Sequence, residues 1–341
     1  LEELSSQFNA LLAEASATPA EDYTERFREL SESTARLREQ KARLEGACQE
    51  QGRVQKRLLA VSAAMEHMTA GLTEWDEEVI HKLLEKVTVL SRVKIFATGD
   101  THGYFERFRP EYFPDGWELT KEDVVLQLGD FGGVWFGDER DDEALDWLEG
   151  LPFTVAFVSG NHENFDALAR YPVELWHGGK VQPIRPHLLH LMRGQVFELA
   201  DFTFFTMGGA ASHDIEDGIL SLDDPNFERK YRILKRKERV RFRIDHMSWW
   251  KEELPSEEEY AEARRNLDAH GWAVDYVLTH CAPTSIALQF SRHNVADRLT
   301  DFLQEVKDNT QYHYWLFGHY HDNKAIDTKH ILLWEQIVQI L

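Results

Sequence analysis

"KIFATGDTHGYF", Lys94 to Phe105, is an apolar run that stops at Gly99 and then sets Asp100 and His102 two positions apart. The run has the length and content of a strand, and a glycine lets the backbone turn sharply at its end. The same grammar returns along the rest of the chain. "VVLQLGD" (124–130), "FTVAFVSGN" (153–161), "FTFFTMGG" (202–209), "DYVLTH" (275–280) and "YHYWLFGH" (312–319) are short, rich in β-branched or aromatic residues, and end in Gly, Asp, Asn or His. Between them, "DDEALDWLEGL", "PSEEEYAEARRNLDAHG" and "ADRLTDFLQEVKD" have helical periodicity. The alternation predicts an α/β fold whose strands deliver polar residues at their C-terminal ends, the edge where open α/β sheets bind ligands.

Five of these ends carry chemistry: Asp100 and His102 in "GDTHG", Asp130 in "LGDFGG", Asn161 and His162 in "SGNHE", His280 in "LTHCAP", and His319 and His321 in "FGHYH". Taken singly, a Gly-Asp after a strand is a turn and a His there is a hydrogen-bonded structural residue. Taken together, they are a set of carboxylate, amide oxygen and imidazole donors. That mixture suits Mn, Fe or Zn, whereas calcium takes mostly oxygen and structural zinc mostly thiolate. Asp100, His102, Asp130, Asn161, His280, His319 and His321 are too many ligands for one metal and suit two, with one carboxylate able to bridge the pair.

The ordered set "GDTHG … GDFGG … GNHE … THCAP … GHYH" is similar to the calcineurin-like metallophosphoesterase superfamily, over about Arg92 to Leu341. The resemblance implies a four-layer α/β/β/α sandwich with a binuclear centre of divalent ions where loops of the two sheets meet. It assigns Asp100, His102 and His321 to one metal, Asn161, His280 and His319 to the other, and Asp130 to both. It also implies a hydroxide held by the ions as nucleophile toward a phosphomonoester or phosphodiester, since paired divalent ions activate water and clamp phosphate oxygens. His162 is expected to protonate the leaving oxygen or stabilise the phosphoryl group. Glu163 either orients that imidazole or is a helix N-terminal carboxylate.

Substrate class is a separate question. Ser/Thr protein phosphatases of this superfamily extend the second block to Asp-Arg-Gly, and here it reads "GDFGGVW". The "GGA" of Gly208 to Ala210 and the later "SWWKEELPSEEE" resemble compact bacterial and phage-like metallophosphoesterases. The expected substrate is therefore a phosphorylated small molecule or nucleotide. A phosphoprotein, or a non-catalytic phosphate-binding scaffold, is the alternative. Residues 229–243 hold nine Lys or Arg, which is either a lid for a polyanionic substrate or an exposed helix balancing nearby acids. Trp249 and Trp250 either stack on a base or pack in the core. His213 and Asp214 follow "GGA" closely enough to line the site, while His187, His190, His313 and His330 read as structural or surface residues.

Residues 1–91 have another texture. Leu30, Leu37, Leu44, Leu58, Met65 and Leu72 share one heptad phase, interrupted by Gln51. This predicts an all-α helical hairpin or coiled-coil extension before the catalytic domain of residues 92–341. "LEELSSQFNALLAEAS" and "LTEWDEEVIHKLLEKVTVLSRVKI" resemble the C-terminal coiled-coil tail of large serine recombinases, without that family's catalytic domain or zinc-ribbon cysteines. The segment is read either as a self-association device or as a helical appendage without chemistry. The formal charge of −22 argues against nucleic acid as a partner. Only Cys48 and Cys281 are present, no apolar run approaches the ~20 residues of a membrane span, and no signal-peptide pattern opens the chain. A cytoplasmic protein without a membrane partner is expected.

Overall fold

Alternating side chains in short strands build two sheets that share one buried layer. The computed structural model describes residues 93–290 and 296–341; the helical extension expected over residues 1–91 lies outside the described residues. In β1 (Ile95–Thr98), Ile95 and Ala97 enter a cluster between the sheets while Phe96 enters one on the outer face. In β2 (Val124–Gln127), Val124 and Leu126 point inward and Val125 outward. β3 (Thr154–Val158) does the same with Ala156 and Val158 against Val155 and Phe157. This is the two-residue period of a strand. Both faces are covered, so these strands read as unbroken apolar runs.

The first sheet runs β15 (Val338–Gln339), β1, β2, β3, β6 (Leu188–Leu191), β5 (Gly179–Arg185), β4 (Glu174–Trp176). β1, β2, β3 and β6 are parallel. The second runs β13 (Lys324–Ala325), β14 (His330–Leu332), β12 (Tyr314–Phe317), β11 (Tyr276–Thr279), β8 (Phe202–Met207), β7 (Gln195–Leu199). Phe204, Tyr276, Leu278 and Leu316 of this sheet meet the inward residues of the first. A separate two-stranded ribbon pairs β9 (Ile219–Leu220) with β10 (Arg243–Ile244).

Helices close the outer faces. Leu145 and Leu148 of α1 (Asp142–Glu149) pack with Phe96, Val125, Val155 and Phe157. The short α2 (Phe165–Leu168) follows β3, and α3 (Phe227–Lys235) sits between β9 and β10 in the chain. On the second sheet, Tyr260, Ala263 and Leu267 of α4 (Glu257–Ala269) join Leu299, Phe302, Leu303 and Val306 of α6 (Arg298–Asn309) against Phe205, Met207, Val277, Trp315 and Phe317. The one-turn α5 (Thr284–Ala287) precedes α6. Each fully buried Leu, Val or Phe in these clusters contributes roughly 1.5–3 kcal/mol. The layers are α/β/β/α, as expected, and the three helical stretches expected in this region form α1, α4 and α6.

Strands β4 to β7 are an addition to the expected set. β5 carries Pro183 at a register shift, and β4 is an edge strand with Leu175 exposed. β4 and β5 lack a continuous apolar run, and their pairing is set by neighbours rather than by their own pattern.

Candidate metal centre

Loops following the parallel strands of both sheets meet at one edge, held together by their backbones. The N–H groups of Thr101 and His102 donate to Asp130 O at 3.1 and 2.7 Å, Gly103 N–H to Phe131 O at 2.9 Å, and Gly318 N–H to His280 O at 3.0 Å. Gly209 N–H donates to Ser159 O at 2.7 Å. A Cβ on Gly160 would collide with Asp130, and one on Gly318 with the Asp100 carboxylate. These glycines are required by close approach of loops to the two carboxylates.

Two groups of side chains converge here. Asp100, His102, Asp130 and His321 form one, and Asp130, His280 and His319 the other, so that Asp130 belongs to both. His321 Nε2 lies 3.0 Å from Asp100 Oδ2, and His102 Nε2 lies 3.7 Å from Asp130 Oδ2. His280 Nε2 is 3.3 Å from Asp130 Oδ1 and also 3.3 Å from Asn161 Oδ1, which brings Asn161 to the second group. All seven residues expected from the sequence are therefore gathered at one place. His102, Asp130, His319 and His321 have φ of 47°, 50°, 70° and 49°. Residues with a Cβ seldom adopt such angles, and strain of this kind concentrates at functional sites.

The arrangement fits divalent cations. Asp100 Oδ2 is buried without a well-directed hydrogen-bond donor. The Nε2 atoms of His102 and His321 face each other at 3.0 Å, a spacing that two lone pairs adopt only around a shared cation or proton. His280 Nδ1–H donates to Leu128 O at 2.7 Å, leaving the Nε2 lone pair for a metal. Burial opposes a charge on His280, yet Asp130 and Asp100 outweigh it and push its pKa up to about 9. That inversion measures the negative field of the two carboxylates. His319 goes the other way, held down to about 3 by burial and by His280, so its ring is neutral and able to ligate.

Supporting contacts orient these ligands. Asp100 Oδ1 accepts from His319 N–H at 2.9 Å. Asn161 Nδ2–H donates to Ser212 Oγ at 3.3 Å, and Ser212 in turn donates through N–H and Oγ–H to the buried Glu253 at 2.9 and 2.6 Å. This chain fixes the amide so that Asn161 Oδ1 faces His280. Arg107 donates through Nη2 to Asp100 O at 2.6 Å and through Nη1 to Trp334 O at 2.5 Å, and the Trp334 ring stacks on His321 with centroids 5.2 Å apart. Arg107 and Trp334 were not marked by the sequence motifs, and Glu253 lies within "SWWKEELPSEEE" without a role read for it; Arg107 lies five residues beyond "GDTH", its only local signal.

His162 donates its N–H to Asp130 Oδ1 at 2.8 Å, and its ring lies 5.3 Å from that of His102. Burial lowers its pKa, with Asp130 opposing. Glu163, read from the sequence as an orienter of His162 or as a helix N-terminal carboxylate, bonds backbone amides. Its carboxylate is fully buried and accepts from Phe131 N–H at 2.8 Å, Gly160 N–H at 3.2 Å and Gly132 N–H at 3.3 Å, none of these bonds reaching the His162 ring. Burial, then Asp130, pushes its pKa up to about 7. The cap of α2 is Asn164, whose side chain accepts from Ala167 N–H.

The neighbouring features resolve as follows. The His213 ring is 6.4 Å from that of His319, and Asp214 pairs with Arg243, the carboxylate raising and the guanidinium lowering the pKa of His162. Lys230, Arg232, Lys237, Arg241 and Arg243 pair with Asp224, Glu228, Asp217, Glu216 and Asp214. Much of the basic stretch thus balances acids of its own insertion. Trp250 is buried and donates Nε1–H to Asp166 at 2.7 Å, which makes it a core residue. His190 and His330 are buried structural residues, with Nδ1 at 2.8 Å from Gln182 Oε1 and from Asp327 Oδ2 respectively. His187 Nδ1 lies 2.7 Å from Glu149 Oε1 and His313 Nδ1 lies 3.3 Å from Asp275 Oδ1.

The family model for calcineurin-like phosphoesterases matches residues 93–323. Comparison with curated proteins returned no match. The matched span contains both ligand groups, and the sandwich, the shared carboxylate and the match agree: the chain belongs to the calcineurin-like phosphoesterases, metal-dependent hydrolases of phosphoester bonds.

Proposed function

We propose that the chain hydrolyses a phosphomonoester or phosphodiester of a small molecule or nucleotide at a centre of two divalent ions, Mn, Fe or Zn. Asp100, His102 and His321 take one ion, Asn161, His280 and His319 the other, and Asp130 bridges. The observation that carries this is the sharing of Asp130 between the two ligand groups. Ions bound there supply Lewis acidity toward the phosphate oxygens and toward a water.

The protein's own residues do the rest. His162, beside His102, gives its proton to the leaving oxygen, a contribution of roughly 10² to 10⁴-fold for a placed general acid. Burial lowers its pKa, and the Asp130 carboxylate opposes that drop and so favours the protonated ring that the step requires. Glu163 acts as a positioning residue through the amides of residues 131, 132 and 160. The absence of Asp-Arg-Gly from "GDFGGVW" places protein phosphatase activity second.

Residues 1–91 enter the proposal as a helical extension for self-association, on their heptad spacing. A cytoplasmic setting is supported by the use of only two cysteines, of which Cys281 is a buried free thiol. Among the described residues, no helix is long and apolar enough to cross a membrane. The test of the reaction is turnover of an aryl monoester, an aryl diester and a phosphopeptide side by side with Mn²⁺. Turnover of either small ester supports the reading, and turnover of the phosphopeptide alone overturns it.

A further inference from the structure

A cleft of about 500 Å³ opens beside the metal centre, with His102 and His162 at one end and Tyr104, Trp135, Phe136 and Arg140 along it. Its volume is that of a small-molecule site. Tyr104 is 78 % exposed and Phe136 49 % exposed, large rings turned to water within reach of the reacting end.

The loop that presents Phe136 is held in place. The Asp141 carboxylate accepts from the N–H groups of Trp135, Phe136 and Gly137 at 3.1, 3.1 and 2.7 Å. Asn164, two residues past His162, donates Nδ2–H to Trp135 O at 2.7 Å. The same loop is therefore tied to the chain segment that carries the proton donor. Arg140 lies over Phe136, 4.0 Å from the ring centroid, and is itself fixed by two bonds to Asp138 at 2.8 and 2.7 Å. An exposed aromatic ring backed by a guanidinium, on a loop fixed by part-buried hydrogen bonds, is suited to stacking. A flexible surface loop would not spend three amide bonds on one carboxylate.

We propose that this cleft is a leaving-group subsite that takes a nucleobase, so that the substrates are nucleotides or nucleotide-derived phosphoesters stacking on Tyr104 and Phe136. The inference rests on the hydrolase reading above. His162 borders the cleft, which puts the base on the side where the leaving oxygen is protonated. Aromatic stacking tolerates any base, so the subsite selects the class rather than one nucleotide.

The test uses adenosine and ribose as probes on the full chain, because neither carries a phosphate to be hydrolysed. Binding is followed by tryptophan fluorescence and by ligand-observed NMR. Stacking of one base predicts about tenfold tighter binding of adenosine than of ribose. That preference falls to about twofold or less in the double variant Tyr104→Ala/Phe136→Ala and is kept in Tyr112→Ala, an exposed tyrosine that does not border the cleft. In parallel, kcat/KM with Mn²⁺ favours AMP over ribose 5-phosphate in the wild type and loses that preference in the double variant. Equal binding of adenosine and ribose by the wild type, or a preference unchanged in the double variant, overturns the subsite. Absence of hydrolysis with the adenosine preference intact would instead strike the hydrolase reading alone.

Discussion

The carboxylate of Asp130 accepts the backbone N–H of His162 at 2.8 Å while lying 3.3 Å from His280 Nε2 and 3.7 Å from His102 Nε2. One residue thus links both ligand groups to the proposed proton donor. Any distortion at Asp130 moves the two functions together, and a Cβ on Gly160 would force one by colliding with Asp130.

If His162 protonates the leaving oxygen, its importance depends on how much help that oxygen needs. His162→Asn should lower kcat by roughly 10² to 10⁴-fold for an alkyl phosphoester, and much less for a p-nitrophenyl ester, whose leaving group departs without a proton. Steady-state kinetics on the two esters check this. An equal loss on both would assign His162 to phosphoryl binding instead.

Glu163 is expected to matter for stability before chemistry. Glu163→Ala leaves the amides of Phe131, Gly132 and Gly160 without their acceptor in a fully buried place, a loss of roughly 3 kcal/mol. Glu163→Gln keeps an acceptor oxygen and should lose less. Urea unfolding monitored by circular dichroism measures both, and an Ala variant as stable as the wild type would contradict the clamp.

His190 gives the fold a sensitivity to acid. Burial, then Arg193, holds its pKa down at about 3 in the folded chain, against 6.5 when unfolded. Its neutral ring shares a hydrogen bond with Gln182 at 2.8 Å. Between those pH values the unfolded state takes up a proton that the folded state refuses, so stability is present above about pH 6.5 and falls as pH drops toward 3. From pH 7.5 to 5.5 the loss from this group is about 1.4 kcal/mol. In His190→Gln that part of the pH dependence should vanish, as read from urea midpoints at the two pH values. An unchanged pH slope would contradict the assignment.

The site was legible in the sequence to a greater depth than the fold around it. The Gly-Asp, Gly-Asn-His, Thr-His and Gly-His-x-His endings stand directly after strands buried on both faces, so apolar run and ligand are adjacent in the chain. β5 was not legible because it contains Gly179 and Pro183 and gains its place only by pairing with β4 and β6. The roles of Glu253 and Arg107 were hidden for a related reason. A buried Glu that orients Asn161 through Ser212, and an Arg that ties Asp100 O to Trp334 O, act through partners distant in sequence, and no spacing rule marks such pairs. For the basic stretch of residues 229–243 charge alone left two readings open, and the ion pairs favour the helix that balances nearby acids: Asp214, Glu216, Asp217, Asp224 and Glu228 lie just before or within it and take up five of the nine cations.

The central claim is that one carboxylate holds two ions together, and metal stoichiometry tests it most directly. Full-length protein equilibrated with Mn²⁺, desalted and analysed by plasma mass spectrometry should carry two ions per chain and hydrolyse a phosphoester. Asp130→Asn should lose metal and at least about 100-fold of the activity, beyond the 10 to 100-fold typical of residues that merely support a ligand. A wild-type chain that hydrolyses the ester with no bound metal, or an Asp130→Asn variant with full metal and full activity, would contradict it.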